Sequence, residues 1–164
     1  MIRIQNVLVA TDFSEAAAAA LDYGREIART FGGTLHVLHV AANVYTQFGG
    51  ESYATVLPDL QREIEDAARL QLDAVLDDED RTALQAKPVV VTSVGAPATI
   101  VDYARDHRID LIVMGTHGRG AVSHLLMGSV AERVVRTAGC PVLTVHHPER
   151  EFIQPDALVR VACA

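Results

Sequence analysis

The chain alternates between short apolar runs and longer segments in which apolar and polar residues are mixed. The apolar runs are continuous and rich in β-branched residues, and they do not alternate with polar residues at every second position. This pattern is typical of strands that are buried on both faces of a sheet. It predicts five strands, at residues 4–10, 34–41, 88–94, 110–115 and 142–146.

The mixed segments carry helix signals between the predicted strands. Ser14 is a suitable N-cap, the alanines that follow it favour a helix, and Gly32 can end that helix. After Pro58, apolar residues recur at spacings of three and four, which indicates one long amphipathic helix. Pro97 lies just inside a shorter helix, and Gly139 ends the last one. The predicted helices span residues 14–31, 59–84, 97–107 and 129–138.

Strands that alternate with helices predict an α/β fold, built as a single doubly wound open sheet of five parallel strands with helices on both faces. The length of 164 residues suits one such domain. We expect the domain to occupy residues 1–147, and residues 148–164 to form a C-terminal tail that adds a strand or contacts a partner. Ligands of such sheets bind beyond the carboxyl ends of the strands, so functional residues should follow the strands.

Charge and cysteine content narrow the range of partners and locations. The chain has 14 basic and 21 acidic residues, a net charge of −7, so neither nucleic acid nor an anionic membrane is an expected partner. Cys140 and Cys163 are too few for a disulfide framework and belong to no C-x-x-C pair. The amino terminus shows no export signal, and no apolar run reaches about 20 residues. These features predict a cytoplasmic protein.

The strongest chemical signal is a glycine-rich segment after the fourth predicted strand. It contains Gly115, Gly118, Gly120 and Gly128, and it is followed by Ser129 at the start of the last predicted helix, where the serine can cap the helix. Glycine permits sharp turns and the close approach of another molecule. A helix N-terminus adds free amides and the positive end of its dipole. The segment therefore predicts a phosphate-binding site rather than a set of tight turns alone.

Other phosphate-binding folds are excluded by inspection. A P-loop requires Gly-Lys-Ser/Thr, which the sequence lacks. A dinucleotide fingerprint requires G-x-G-x-x-G after the first strand, where this chain has Thr11-Asp12-Phe13-Ser14. A response-regulator receiver is excluded because the third strand ends at Val94-Gly95 without an acceptor aspartate. Seven histidines do not predict a metal site either, since His36 and His39 are three residues apart on a strand and point to opposite faces.

Two segments resemble the ATP-binding members of the universal stress protein family. The G-x2-G-x9-G-S spacing that begins at Gly115 is similar to the G-x2-G-x9-G-[ST] signature of those proteins. Residues 7–14 are similar to their opening strand and D-x-S turn. The resemblance covers about residues 1–147. It implies the strand order 3-2-1-4-5, which places the switch point between the first and fourth strands.

The resemblance also implies roles for the matching residues. Asp12 and Val40 would face the adenine, and Met114 would help to line the pocket. The ribose and phosphates would be held by Gly115, Gly118, Gly128, Ser129 and Val130. Thr11, which precedes Asp12, and Arg119, which lies between two glycines, complete the candidate cofactor-binding set. The implied cofactor is ATP, with Mg²⁺ or Mn²⁺ held through its phosphates.

The function implied is that of a dimeric regulatory protein of the stress response that binds ATP. The fifth strand, residues 142–146, would lie at a sheet edge, where exposed backbone groups can pair with a second copy. The glycine segment offers amides, a serine and Arg119 but no lysine, so rapid phosphoryl transfer and a catalytic residue are not predicted. Two alternatives stay open: a dimeric protein-interaction module with an idle nucleotide site, and a slow ATPase. The sequence does not distinguish ATP from AMP or a cyclic nucleotide.

Overall fold

The computed structural model of the chain describes residues 1–46, 56–116 and 127–146. Its centre is one sheet of five parallel strands in the order β3-β2-β1-β4-β5, which confirms both the predicted fold class and the order that the resemblance implied. The candidate residues Gly118 and Arg119 and the predicted tail lie outside the described residues. The strands are β1 (Asn6–Ala10), β2 (Thr34–Ala42), β3 (Lys87–Ser93), β4 (Leu111–Gly115) and β5 (Val142–Val145).

The first strand begins two residues later than predicted because a side chain takes over its first hydrogen bonds. One carboxylate oxygen of Asp110 accepts from the backbone amides of Gln5, at 2.7 Å, and Asn6, at 2.9 Å. Asp110 itself precedes β4 and donates its own amide to the Asn6 carbonyl. The carboxylate thus joins the starts of the two central strands, where the ladder between them begins.

Among the residues that the structure describes, five helices accompany the sheet. Ser14 caps the first helix as predicted, its hydroxyl accepting from the Ala17 amide, and Gly32 ends that helix with a φ of 64°. A short 3₁₀ turn, Val44–Thr46, follows β2. The helices are α1 (Glu15–Phe31), α2 (Leu57–Val75), α3 (Asp78–Thr82), α4 (Ala96–Asp106) and α5 (Ser129–Thr137).

Two apolar clusters lie on opposite faces of the sheet and share its strands. Along β1, Val7 and Val9 join the cluster beneath α1 and α2, whereas Leu8 and Ala10 join the cluster beneath α4 and α5. The three residues from Val7 to Val9 have no exposed surface. This burial on both faces explains why the strand sequences are continuously apolar.

The prediction of one long helix over residues 59–84 was wrong. Helix α2 ends at Val75, Leu76 adopts an extended conformation with its side chain 4% exposed, and α3 begins after Asp77. Asp77 and Asp80 form a capping box, in which each side chain accepts from the other residue's amide. The D-x-x-D pattern was the available sign of a new helix start, since an N-cap acid followed three residues later by another acceptor satisfies two orphan amides.

An arginine from α1 fixes the break between α2 and α3. Arg25 donates to both carboxylate oxygens of Asp80, at 2.8–3.1 Å, and to the carbonyl of Val75 at 2.6 Å. Asp80 is 1% exposed, so its charge is compensated inside the protein rather than by water. One cation therefore satisfies the end of one helix and the buried acid of the next.

Within the described ranges, no helix is both long and apolar enough to cross a membrane.

Candidate functional site

A crevice opens where the chain leaves β1 and β4, the two neighbouring strands at the centre of the sheet. After β1 the chain turns into α1 on one face, and the helix that follows β4 in the chain, α5, packs on the other face. Two adjacent strands whose following helices lie on opposite faces leave a gap beyond their carboxyl ends. This is the switch point that the implied strand order placed between the first and fourth strands.

The crevice is a cavity of about 420 Å³. That volume is within the range of small-molecule sites in proteins, roughly 300–1,000 Å³. Apolar side chains from both layers line it, together with polar groups from the turns that follow β1 and β4. Its lining residues are Ala10, Thr11, Asp12, Ala17, Leu38, His39, Val40, Ala96, Ile100, Met114, Gly115, Thr116, Gly128, Ser129, Val130 and Ala131.

The structure brings together all the predicted site residues that it describes. They come from three strand ends and one helix start, and all of them line the same cavity: Thr11, Asp12, Val40, Met114, Gly115, Gly128, Ser129 and Val130. Whether they contact a ligand stays a prediction. Gly118 and Arg119 lie outside the described residues.

The turn after β1 is held by its own side chains. The Phe13 amide donates to the Thr11 hydroxyl at 3.0 Å, and one oxygen of Asp12 accepts from the Ser14 amide and hydroxyl at 3.1 and 2.6 Å. Phe13 has a φ of 63°, a left-handed conformation that costs a non-glycine residue about 1 kcal/mol or more. Strain of this kind persists where surrounding contacts fix the backbone.

Gly115 has a packing role besides its place at the cavity. A Cβ atom at this position would lie 2.9 Å from the Cβ of Ala16 and 3.0 Å from its carbonyl carbon, so only glycine lets α1 approach β4 this closely. The resemblance implied that Gly115 holds the ribose and phosphates. Because the residue also lines the cavity, the packing contact is an additional reason for glycine there.

The start of α5 differs from the prediction in its capping. Gly128, not Ser129, is the N-cap residue, and Ser129 is the first residue of the helix, so the expected serine cap was wrong. Gly128 donates its amide to the Thr116 carbonyl at 2.7 Å, which ties the start of α5 to the end of β4. Thr116 in turn donates its amide to Val145 on β5. The main chain therefore positions the helix start at the cavity.

Two helices begin at the cavity. Helix α4 begins at Ala96 and α5 at Ser129, and both residues line the cavity. Their N-cap residues, Gly95 and Gly128, supply no side-chain acceptor for the first amides. Uncapped amides and the positive ends of two helix dipoles favour an anion at this end of the site. No lysine or arginine is among the lining residues that the structure describes.

The two histidines of β2 point to opposite faces of the sheet, as predicted. The Nδ1 atom of His36 lies 2.8 Å from the Tyr103 hydroxyl, on the α4 side. His39 lines the cavity, with Nδ1 2.9 Å from the Thr11 carbonyl oxygen and its ring 4.6 Å from that of Phe13. In the part of the chain that the structure describes, no three histidine, cysteine or acidic side chains converge as a metal site.

Several lining residues were not predicted from the sequence. His39, Ala96, Ile100 and Thr116 reach the cavity from three different elements. Thr116 could have been predicted most easily, because it lies inside the glycine-rich segment. The placement of Ala96 and Ile100 depends on how α4 packs, because α4 starts after β3, at the far edge of the sheet, and crosses toward the centre.

The fold and the cavity define a doubly wound α/β protein with a ligand cavity at its switch point. The chain belongs to the universal stress protein family, which its residues 3–146 match. The universal stress protein MJ0531 of Methanocaldococcus jannaschii is 30% identical over 149 residues, or 90% of this chain and 85% of that protein.

Solved structures of the family are also similar to this chain. The universal stress protein UspA from Lactobacillus plantarum superimposes with a TM-score of 0.73 at 29% identity, covering 88% of this chain and 99% of that one. A universal stress protein solved in complex with cAMP has a TM-score of 0.62 at 25% identity, covering 88% of this chain and 99% of that one. At least one protein of this fold and family thus binds an adenine nucleotide.

Proposed function

We propose that this protein binds ATP in the central cavity and acts as a dimeric regulatory protein of the stress response. The observation that carries the proposal is the cavity itself, which gathers the turn of β1, the end of β4 and the start of α5 around one space. The uncapped amides of α4 and α5 are suited to phosphates, and Asp12, in the turn after β1, is suited to donors on a base. The family member bound to cAMP supports an adenine nucleotide as ligand.

The lining chemistry favours binding over catalysis. Transfer of a γ-phosphoryl group needs cationic groups to neutralise charge and a residue to align the nucleophile. The described lining residues offer backbone amides, hydroxyl groups and one carboxylate. A divalent cation would enter with the nucleotide and be held mainly by its phosphates, because Mg²⁺ typically uses one or two carboxylates and keeps its waters. We expect hydrolysis to be slow.

Dimerisation through β5 is part of the same proposal. The sheet order places β5 at an edge, and Val142, Leu143 and Thr144 are only partly buried. An exposed edge strand is a template for pairing with a second chain. A dimer built there would hold two copies of the cavity in one assembly.

The proposal is tested by filling the cavity. Val130 lines the cavity at the start of α5, and Val135 on the same helix is 45% exposed. We expect Val130→Trp to lower the affinity for Mg-ATP by at least about tenfold, or about 1.4 kcal/mol, because the indole occupies the ligand's space. The matched variant Val135→Trp should bind as the wild type does.

The measurement is calorimetric titration with Mg-ATP, after the purified protein has been denatured and any released nucleotide identified by chromatography. Co-purified adenine nucleotide, or binding by the wild type that Val130→Trp removes, supports the proposal. A wild-type protein that neither carries nor binds a nucleotide would contradict it. A dimeric protein-interaction module with an idle nucleotide site would then be the favoured function.

A further inference from the structure

We propose that His39 is a positioning residue for recognition of the base, because it holds the two residues on either side of Asp12. The inference rests on the proposed function, since it assigns the base to the Asp12 side of the cavity. His39 comes from β2, the neighbour of β1 in the sheet, and lines the cavity beside Thr11 and Asp12.

The first contact fixes the carbonyl of Thr11. The Nδ1 atom of His39 lies 2.9 Å from the Thr11 carbonyl oxygen. A carbonyl oxygen can only accept, so Nδ1 is the donor of this hydrogen bond. The peptide group that this bond orients is the one that joins Thr11 to Asp12.

The second contact holds Phe13. Its ring centroid is 4.6 Å from that of His39, with the planes 33° apart. Phe13 is the residue in the left-handed conformation, and its amide already donates to the Thr11 hydroxyl. The stabilisation from ring contacts of this kind is comparable to the cost of the strained backbone. His39 thus supports the turn where it is least stable.

Neither contact is needed to pair the strands. The Thr11 amide donates to the Leu38 carbonyl at 2.9 Å, so the ladder between β1 and β2 continues past Ala10 without the imidazole. Both contacts of His39 act beyond the end of the ladder, on the turn that carries Asp12. His36, on the same strand, is instead buried against Tyr103 and does not line the cavity.

The test compares ATP with GTP, which have the same ribose and phosphates and differ in the base. In His39→Leu the hydrogen bond to Thr11 is lost, and we expect the affinity for ATP to fall about tenfold. The affinity for GTP should change by less than about twofold, because phosphate contacts lie at the other end of the site. His39→Asn keeps a donor at the position of Nδ1 and should retain most of the preference for ATP.

A double-mutant cycle with Asp12→Asn separates positioning from general support of the fold. If His39 acts through Asp12, His39→Leu should cost little further ATP affinity once Asp12 has been replaced. Tyr103→Phe removes the hydrogen bond to His36, the other histidine of β2, and serves as the control. It should leave the affinities for ATP and GTP unchanged. Thermal unfolding of each variant monitors the fold.

The outcomes distinguish this inference from the proposed function. A wild-type protein that binds no ATP overturns both. A wild-type protein that binds ATP and GTP equally leaves ATP binding intact and overturns the role of His39 in base recognition. Equal losses for ATP and GTP in His39→Leu, or additive effects with Asp12→Asn, also overturn it.

Discussion

His36 is buried in the layer between β2 and α4 and must stay neutral there. Its side chain is 2% exposed, and its Nε2 atom has no hydrogen-bond partner among the described residues. Burial, followed by the nearby charges of Lys87 and His107, lowers the pKa of His36 from 6.5 to about 4. A histidine that is protonated more readily in the unfolded chain lowers the free energy of unfolding in acid.

We therefore predict that His36 makes the protein less stable as the pH falls. The stabilising contribution is complete above the unfolded pKa of 6.5 and is lost as the pH falls toward the folded value of about 4. Between pH 7.5 and 4.5 the free energy of unfolding should drop by roughly 2–3 kcal/mol from His36 alone. Urea unfolding of the wild type and of His36→Gln at both pH values measures it.

The glutamine variant removes the titration and keeps a group that can bond to Tyr103, so its stability should fall by less than that of the wild type over this range. Carboxylates elsewhere titrate in both proteins and cancel in the comparison. Equal losses in the two proteins would contradict the assignment to His36.

At the scale of elements, the break between α2 and α3 depends on a charge pair that spans 55 residues of sequence. Arg25 on α1 binds Asp80 on α3 and the last carbonyl of α2. The arginine side chain is 20% exposed and the aspartate side chain 2% exposed. Removing Asp80 would leave the partly buried guanidinium with only the exposed Asp22, at 2.9 Å, as an anionic partner.

Asp80→Asn should lower the free energy of unfolding by about 3 kcal/mol. Asp78→Asn, an exposed position in the same short helix, should cost less than about 1 kcal/mol and provides the control. Chemical denaturation of the two variants at neutral pH measures the difference. Similar costs for both would mean that the pair does not stabilise this junction.

The extent to which the sequence predicts this structure depends on how local the determining contacts are. Strands β1 and β4 were predictable because apolar residues on both faces leave a continuous run. The end of α2 was missed because Leu72 and Leu76 keep a helical spacing, and the arginine that stabilises the break is distant in sequence.

The contact of His39 with Thr11 joins residues 28 apart on neighbouring strands, and nothing near His39 in the sequence signals it. Gly115 was predicted as a ligand contact, but its close packing against Ala16 required the structure.

At the scale of the whole molecule, β5 pairs on only one side among the described residues, and alternate backbone groups of β5 point away from β4. The carbonyls of Pro141 and Val145 accept from the amides of Ile112 and Thr116, at 3.0 and 2.8 Å. The backbone groups of the odd-numbered residues of this strand therefore point toward β4. Neighbouring residues of a strand point their backbone groups in opposite directions. The amides of Val142 and Thr144 therefore point away from the sheet.

This alternation gives a test of the proposed dimer. Thr144→Pro removes an outward amide without removing a bond to β4, so the folded chain should persist as a monomer. Thr144→Val keeps the amide and should remain dimeric like the wild type. Light scattering coupled to size-exclusion chromatography determines each mass. A monomeric wild type, or a proline variant that still dimerises, would exclude pairing through β5.

The central cavity has walls from both layers of the protein, with Ala17 of α1 on one side of the sheet and Ile100 of α4 and Ala131 of α5 on the other. A molecule held there would contact α1 on one face of the sheet and α4 and α5 on the other, and it would bind only the folded chain. Ligand at a thousand times its dissociation constant would add about 4 kcal/mol to the free energy of unfolding. If that molecule is a nucleotide, resistance to proteolysis would rise and fall with the nucleotide concentration. The lifetime of the protein would then depend on the nucleotide concentration in the cell.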